Sequence, residues 1–125
     1  MDWQRAPDLQ KEVAKLISTL KLSYIDHKRV IVFRSFGSTS RAQARIWSLP
    51  RIWQKALQVK AHYCLEVISE KFDKLPLKEK RKILIHELLH IPKNFSGSLL
   101  PHRGRGRRID RKAVEELYKK LIVNR

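Results

Sequence analysis

Cysteine is nearly absent from this sequence, which has a single one, Cys64, among 125 residues. One cysteine excludes an internal disulfide, and with it the class of small extracellular domains that disulfides hold together. It also excludes a zinc site built from several thiolates, because every thiolate ligand is a cysteine. Any metal ion held within this chain must therefore be bound by histidine and carboxylate side chains.

Long apolar runs are missing as well. The longest run of aliphatic or aromatic residues covers only residues 30–33, whereas a membrane-spanning helix needs about 20 consecutive apolar residues. The first residues, Met-Asp-Trp-Gln, do not begin a secretory signal. We therefore expect a soluble cytoplasmic protein with no membrane partner, and the sequence does not indicate its oligomeric state.

Acidic residues are scarce, since 12 Asp and Glu stand against 28 Lys and Arg and give a formal net charge of +16. A charge of this size attracts polyanions without identifying one. The composition, with 42% hydrophobic and 32% charged residues, is typical of a folded chain. Two separate cores would each be marginally stable at this length, so we expect a single domain over residues 1–125.

The spacing of apolar residues predicts an α+β domain. Helical periodicity predicts helices over about residues 8–22, 51–59, 76–90 and 111–122, the last of them capped by Asp110 and buried through a stripe that includes Ile122. β-Branched and alternating patterns predict strands at residues 30–33, 44–48 and 63–69. We expect a small, mainly three-stranded sheet packed against helix 76–90, with further helices at both ends of the chain.

Residues 86–90 read His-Glu-Leu-Leu-His, a His-Glu-x-x-His motif within a predicted helix. Positions i and i+4 lie one turn apart on one helix face, so His86 and His90 can bind the same tetrahedral metal ion. Glu87 is rotated by about 100° from His86, where it can act as a general base without being a ligand. The alternative is a coincidental cluster, but burying an unpaired carboxylate and two imidazoles among apolar neighbours would cost several kcal/mol.

A catalytic zinc ion has three protein ligands and leaves its fourth position to water. His102 is our candidate for the third ligand, because it lies in a Pro- and Gly-rich segment after Pro92, which ends the helix and lets the chain turn back. Glu115 and Glu116 are the competing candidates, since some zinc peptidases take a Glu ligand from a downstream helix.

The motif and its surroundings resemble the metallopeptidases of archaea and phages, a small group of zincins related to the SprT-like proteases. The likeness covers about residues 44–104 and rests on His-Glu-Leu-Leu-His-Ile-Pro at 86–92, Phe-Ser-Gly at 95–97, Pro-His at 101–102 and Phe-Asp-Lys-Leu at 72–75. It implies a minimal zincin domain and hydrolysis of a protein or peptide, with Glu87 as catalytic base and one Zn²⁺ ion on His86, His90 and His102.

In zincins an edge strand beside the active-site helix pairs with the extended peptide substrate. The segment 63–69 is our candidate for that strand, because its faces are mixed in polarity, as in an edge strand. An ordinary amphipathic edge strand without a substrate role would show the same pattern.

Basic residues are concentrated next to His102. Residues 101–112 carry six Lys or Arg and one acid, and alternating Gly and Arg can follow a line of phosphates. We therefore assign possible nucleic-acid binding to four arginines, Arg103, Arg105, Arg107 and Arg108. SprT-like relatives cleave proteins attached to DNA, so the resemblance suggests DNA-associated substrates. A solvated basic loop is the plainer interpretation, and the rival function is a basic nucleic-acid-binding protein whose His cluster is structural or inactive.

Overall fold

Four strands form one mixed sheet in the computed structural model, which describes residues 1–102, 109 and 111–123. The strands are β1 (Asp2–Arg5), β2 (Val30–Phe36), β3 (Ala44–Ser48) and β4 (Tyr63–Ile68). They lie in the order β1-β2-β4-β3, with β2 and β4 parallel and both outer strands antiparallel to their neighbours. The two edges of the sheet are therefore β1 and β3.

The predicted α+β class is confirmed, and the sheet has β1 in addition to the three expected strands, whereas the expectation that residues 63–69 form an edge is wrong. β1 escapes prediction because all four of its residues are exposed, so pairing with β2 rather than an apolar pattern defines it. β4 lies between β2 and β3, and its mixed faces have a different cause. The charged residue on its outer face, Glu66, is buried and forms an ion pair with Arg45 of β3.

The helices largely match their predicted positions. They are α1 (Pro7–Thr19), α2 (Arg51–Leu57), α3 (Ser69–Phe72), α4 (Leu77–Leu88) and α5 (Arg111–Val123), with a short 3-10 turn at His27–Arg29. Both α1 and α2 end earlier than predicted, because Lys21 and Gln58 adopt the left-handed backbone conformation, with φ of 55° and 56°. The four-residue α3 is too short to show a helical period, and the predicted cap Asp110 lies outside the described residues.

The core lies on one face of the sheet, between the strands and helices α1, α4 and α5. The apolar stripe of α1 packs there against alternate residues of β2 and β4. Helix α4 is buried through Leu84, Ile85 and Leu88, as its apolar sequence predicted. In α5 the buried stripe is Val114, Tyr118 and Leu121, whereas Ile122 is 53% exposed, contrary to prediction, because it lies in the exposed last turn with Val123. No helix in the described parts of the chain has the length and apolarity to cross a bilayer.

Arg34 links β2 to two other elements through a pair of carboxylates. Its guanidinium donates to both oxygens of Asp8 on α1, at 2.7 and 2.8 Å, and to Asp73 after α3, at 3.0 Å. The Arg34 hydrogen bond lowers the pKa of Asp8 from 3.8 to about 2. Burial by itself raises the pKa of Asp73, but hydrogen bonds from Arg34 and Ser69 outweigh it and lower that pKa too.

Arg34→Met should therefore destabilise the fold in a pH-dependent way. Both carboxyl groups have lower pKa values in the folded chain, so their stabilisation is complete above a pH of about 4 and is lost as the pH falls towards 2. Urea unfolding of the wild type and the variant at a series of pH values tests this. The difference in unfolding free energy should narrow as the solution is acidified, and a difference that stays constant down to a pH of about 2 would contradict it.

Candidate metal centre

The last turn of α4 and the residues after it place both histidines of the motif, His86 and His90, on the same side of the helix. His86 belongs to the helix, and His90 follows two residues after its end at Leu88. The chain stays coiled there, since the backbone N–H of His90 donates to the Glu87 carbonyl at 3.1 Å. Pro92 has no N–H to continue the ladder, so the helix cannot extend further. The two imidazole rings consequently lie next to each other, edge to face, with centroids 5.2 Å apart.

His102 joins them after the chain turns back beneath the helix. Its Nε2 lies 3.1 Å from Nε2 of His86, and its ring centroid lies 4.5 Å from that of His90. One nitrogen from each of the three rings lies within 4.8 Å of the others. In a tetrahedral zinc site with Zn–N bonds of about 2.0–2.1 Å, ligand nitrogens are roughly 3.3 Å apart. The three imidazoles can therefore hold a metal ion after small side-chain movements.

A backbone carbonyl fixes the orientation of His90. Nδ1 of its ring lies 2.6 Å from the carbonyl oxygen of Leu100 and must donate to it, because that oxygen can only accept. The N–H of Leu100 donates in return to the His90 carbonyl at 2.7 Å. A neutral imidazole protonated at Nδ1 has its lone pair on Nε2, which is the form that binds metal. The pairing thus prepares His90 as a ligand and also anchors the loop that leads to His102.

Tyr63 on β4 holds the same loop from the sheet side. Its hydroxyl accepts a hydrogen bond from the N–H of Gly97 and donates one to the carbonyl of Ser98, both at 2.9 Å. The ring of Phe95 packs edge-on against the Tyr63 ring, with centroids 5.1 Å apart. The loop that carries His102 is therefore fastened to a central strand of the sheet.

Helix α2 provides a second attachment for this loop. The side-chain amide of Gln54 donates to the carbonyls of Ser96, at 3.0 Å, and Leu49, at 2.8 Å. Gly97 lies beside this contact with φ of 97°, and a Cβ atom there would collide with the Gln54 amide and lie 2.8 Å from the Leu49 oxygen. Glycine is required at position 97 for both reasons.

Tyr63→Phe should loosen this attachment without changing a ligand. The substitution leaves the buried N–H of Gly97 without its acceptor, which costs roughly 1–3 kcal/mol. We expect a lower unfolding temperature and weaker metal binding, measured by thermal unfolding and by competition with a chromophoric chelator. Tyr118→Phe is the matched control, since Tyr118 is also buried but lies on α5 and contacts lysines through its ring. Equal metal affinity in the wild type and Tyr63→Phe would show that the loop does not need the hydroxyl.

Glu87 lies beside the three histidines and is only 8% exposed. Burial raises the pKa of its carboxyl to about 7. Its Oε2 approaches Nε2 of His86 at 3.8 Å, too far for a hydrogen bond. Burial, followed by the neighbouring imidazoles, lowers the pKa of His86 to about 4. Burial also lowers the pKa of His90, in part against the opposing Leu100 hydrogen bond.

A cavity of about 570 Å³ opens next to His86 and Glu87. It lies between the edge strand β3 and helices α4 and α5, which form its walls together with the residue before β3. The lining residues are Gln43, Ala44, Glu79, Lys82, Ile83, His86, Glu87, Arg111, Val114 and Glu115. Gln43 and Arg111 were not among our candidate residues. No motif indicates Gln43, and Arg111 entered the sequence argument only through its charge.

The competing ligands occupy other positions in the described structure. Glu115 lines the cavity, but its carboxylate lies 2.6 Å from the ammonium of Lys82, and this hydrogen bond lowers its pKa. Glu116 is exposed, and neither carboxylate belongs to the group of three histidines that could hold a metal. The arginines assigned to nucleic acid, Arg103, Arg105, Arg107 and Arg108, lie outside the described residues.

Comparison with known protein families identifies a match over almost the whole chain. A family model described as "Putative phage metallopeptidase" matches residues 1–122, which include the sheet, helices α1 to α4 and all three histidines. No curated protein and no solved structure gives a significant match to the chain.

Proposed function

Because the chain belongs to the phage metallopeptidase family, we propose that it is a zinc-dependent peptidase of the His-Glu-x-x-His type. His86, His90 and His102 hold the ion, and Glu87 is the general base. The observation that carries this proposal is the convergence of three histidine nitrogens within 4.8 Å, next to a buried carboxylate and an open cavity. Three nitrogen donors with room for a fourth ligand are the usual composition of a catalytic zinc site.

Glu87 performs the proton transfers of the reaction. When bound, a zinc ion lowers the pKa of a coordinated water and polarises the peptide carbonyl. The Glu87 carboxylate takes a proton from the attacking water and delivers it to the departing amide nitrogen. The Leu100 carbonyl keeps the His90 ring in the required tautomer throughout.

The substrate binds as an extended chain along β3. This strand is an edge of the sheet and borders the cavity, so its outward N–H and C=O groups are open to a peptide backbone. Ala44 contributes only a methyl group to the cavity wall next to the motif and leaves space for the peptide. β3 therefore replaces segment 63–69 as our candidate for substrate pairing.

Proteins held on DNA are the substrate class that we propose. The support is the net charge of +16, which attracts the chain to polyanions and to proteins assembled on them. The rival function is a nucleic-acid-binding protein in which the histidine cluster binds metal only structurally.

Metal analysis combined with a cleavage assay tests the proposal. The purified protein should contain one equivalent of zinc and should cleave an extended peptide library, in the presence or absence of DNA. A chelator should stop the cleavage and added zinc should restore it. Protein that takes up no zinc would overturn the proposed site. Protein that binds one zinc ion but cleaves no member of the library would favour the rival function.

A further inference from the structure

The face of the sheet opposite the core carries large aromatic side chains. They come from three different strands, Trp3 of β1, Phe33 of β2 and Trp47 of β3. Together with Cys64 and Glu66 of β4 they line a groove of about 360 Å³, to which no helix of the described chain contributes. Trp3 is 51% exposed and Trp47 is 47% exposed. About half of each indole is thus open to a ligand; we call this surface the outer face.

Arginines lie directly over these rings. The guanidinium carbon of Arg5 is 5.7 Å from the centre of the Phe33 ring, and that of Arg45 is 4.9 Å from the Trp47 ring. Arg5, Phe33, Glu66 and Arg45 are successive partners across the four strands. One row of the sheet therefore places an aromatic ring and a buried carboxylate between two arginines.

The Glu66 carboxylate orients the Arg45 and Trp47 side chains. It is 1% exposed and accepts hydrogen bonds at 2.8 Å from Nε of Arg45 and from the indole N–H of Trp47. Its negative charge is compensated by the Arg45 guanidinium, with which it forms an ion pair at 2.8 Å. The Arg45 and Trp47 side chains are therefore held in place before any ligand binds, so binding loses less side-chain conformational entropy.

The middle of the chain, which supplies most of the outer face, is strongly basic in sequence. Between Asp26 and Glu66 the chain has no acidic residue, although this stretch supplies β2, β3, α2 and half of β4. The same stretch has eight basic residues: Lys28, Arg29, Arg34, Arg41, Arg45, Arg51, Lys55 and Lys60. A ligand that fits must therefore bring negative charge together with flat apolar groups.

We propose that the outer face binds single-stranded nucleic acid, with bases stacked on the exposed indoles of Trp3 and Trp47 and phosphates next to Arg5 and Arg45. Unpaired bases expose their π-faces for stacking, whereas bases in a duplex do not. A second copy of the chain fits this surface less well, because two copies each with a net charge of +16 repel one another. The site lies on the side of the sheet away from α4, so it is independent of the proposed peptidase activity.

Tryptophan fluorescence tests this proposal, because two of the three tryptophans lie on the outer face. The third, Trp53 on α2, is 55% exposed and does not line the groove. Titration of Trp53→Phe with a 15-residue oligothymidylate should quench its emission through stacking. Trp3→Phe, which keeps the hydrogen bond between Trp47 and Glu66, should show less quenching than Trp53→Phe.

Affinity measurements with a labelled oligothymidylate provide the second readout. Trp3→Ala should weaken binding about 5- to 150-fold, whereas the matched control Trp53→Ala should bind like the wild type. Trp3 is the better target because Trp47 is hydrogen-bonded to Glu66 and its removal would disturb the sheet. A duplex of equal charge should bind more weakly than the single strand.

Three results would overturn the proposal. In the first, the oligonucleotide binds without quenching tryptophan emission, and this binding is lost when Arg103, Arg105, Arg107 and Arg108 are all replaced by alanine. That result would place the contact on residues 103–108. The second is equal affinity of Trp3→Ala and Trp53→Ala. In the third, the protein without oligonucleotide sediments as a dimer, and Trp3→Ala sediments as a monomer. That result would make the outer face a surface for a second copy of the chain.

Discussion

Replacing Glu87 with glutamine should reduce peptide hydrolysis by about 10²- to 10⁴-fold, the usual contribution of a general base. Glutamine has nearly the same shape, but its amide cannot take a proton from the attacking water. Metal content should stay at the wild-type value, because the three histidines converge without a contribution from Glu87. The fold should be retained, since a neutral amide is easier to bury than a carboxylate at a position that is 8% exposed. Rates on a fluorogenic peptide, together with metal analysis of the same preparation, test all three expectations.

Glu79→Gln is the matched control for this substitution. Glu79 lies on the same helix and lines the same cavity, but it is exposed and is two turns away from the motif. It should retain nearly full activity. A Glu87→Gln protein that stays active would move the base to another residue, and one that loses zinc would make Glu87 a ligand or a structural group.

The part of the site that the sequence predicts well is the part built from local periodicity. The apolar pattern around residues 83–89 predicts a buried helix, and Pro92 predicts its end, so the relation of His86 to His90 follows from helix geometry alone. The return of His102 depends on contacts with residues far away in sequence. Tyr63 and Gln54 hold the loop, and no local pattern marks either of them as its partner.

The difference between local patterns and contacts far apart in sequence also explains why the edge of the sheet was predicted incorrectly. A strand pattern specifies which residues alternate, but whether a strand is an edge depends on which partners flank it. β4 contains a glutamate and was therefore expected at an edge, yet Arg45 and Trp47 from the neighbouring strand satisfy that carboxylate. The edge that borders the cavity is β3, and its position became evident only from the pairing. The substrate hypothesis changed accordingly, while the ligand hypothesis did not.

Replacing His102 with alanine should have the largest effect on metal affinity among the substitutions outside the helix. Loss of an outer-shell hydrogen bond typically reduces metal affinity about 10- to 100-fold, and removal of a direct ligand should exceed that. Because His102 is exposed, its replacement leaves no cavity in the core. The metal-free variant should therefore unfold at the same temperature as the metal-free wild type. The two proteins should diverge only when zinc is added, since the stabilisation by a ligand increases with the logarithm of its affinity for the folded chain.

Glu115→Ala distinguishes His102 from Glu115 as the third metal ligand. Glu115 lines the same cavity, but its carboxylate pairs with Lys82, and loss of an exposed ion pair has little effect on stability. We expect Glu115→Ala to bind zinc as tightly as the wild type, measured by competition with a chromophoric chelator. The opposite pattern, with normal affinity in His102→Ala and weak affinity in Glu115→Ala, would place the third ligand on α5. The hydrogen bond between His90 and Leu100 would then serve only to hold the loop, because that loop would no longer deliver a ligand.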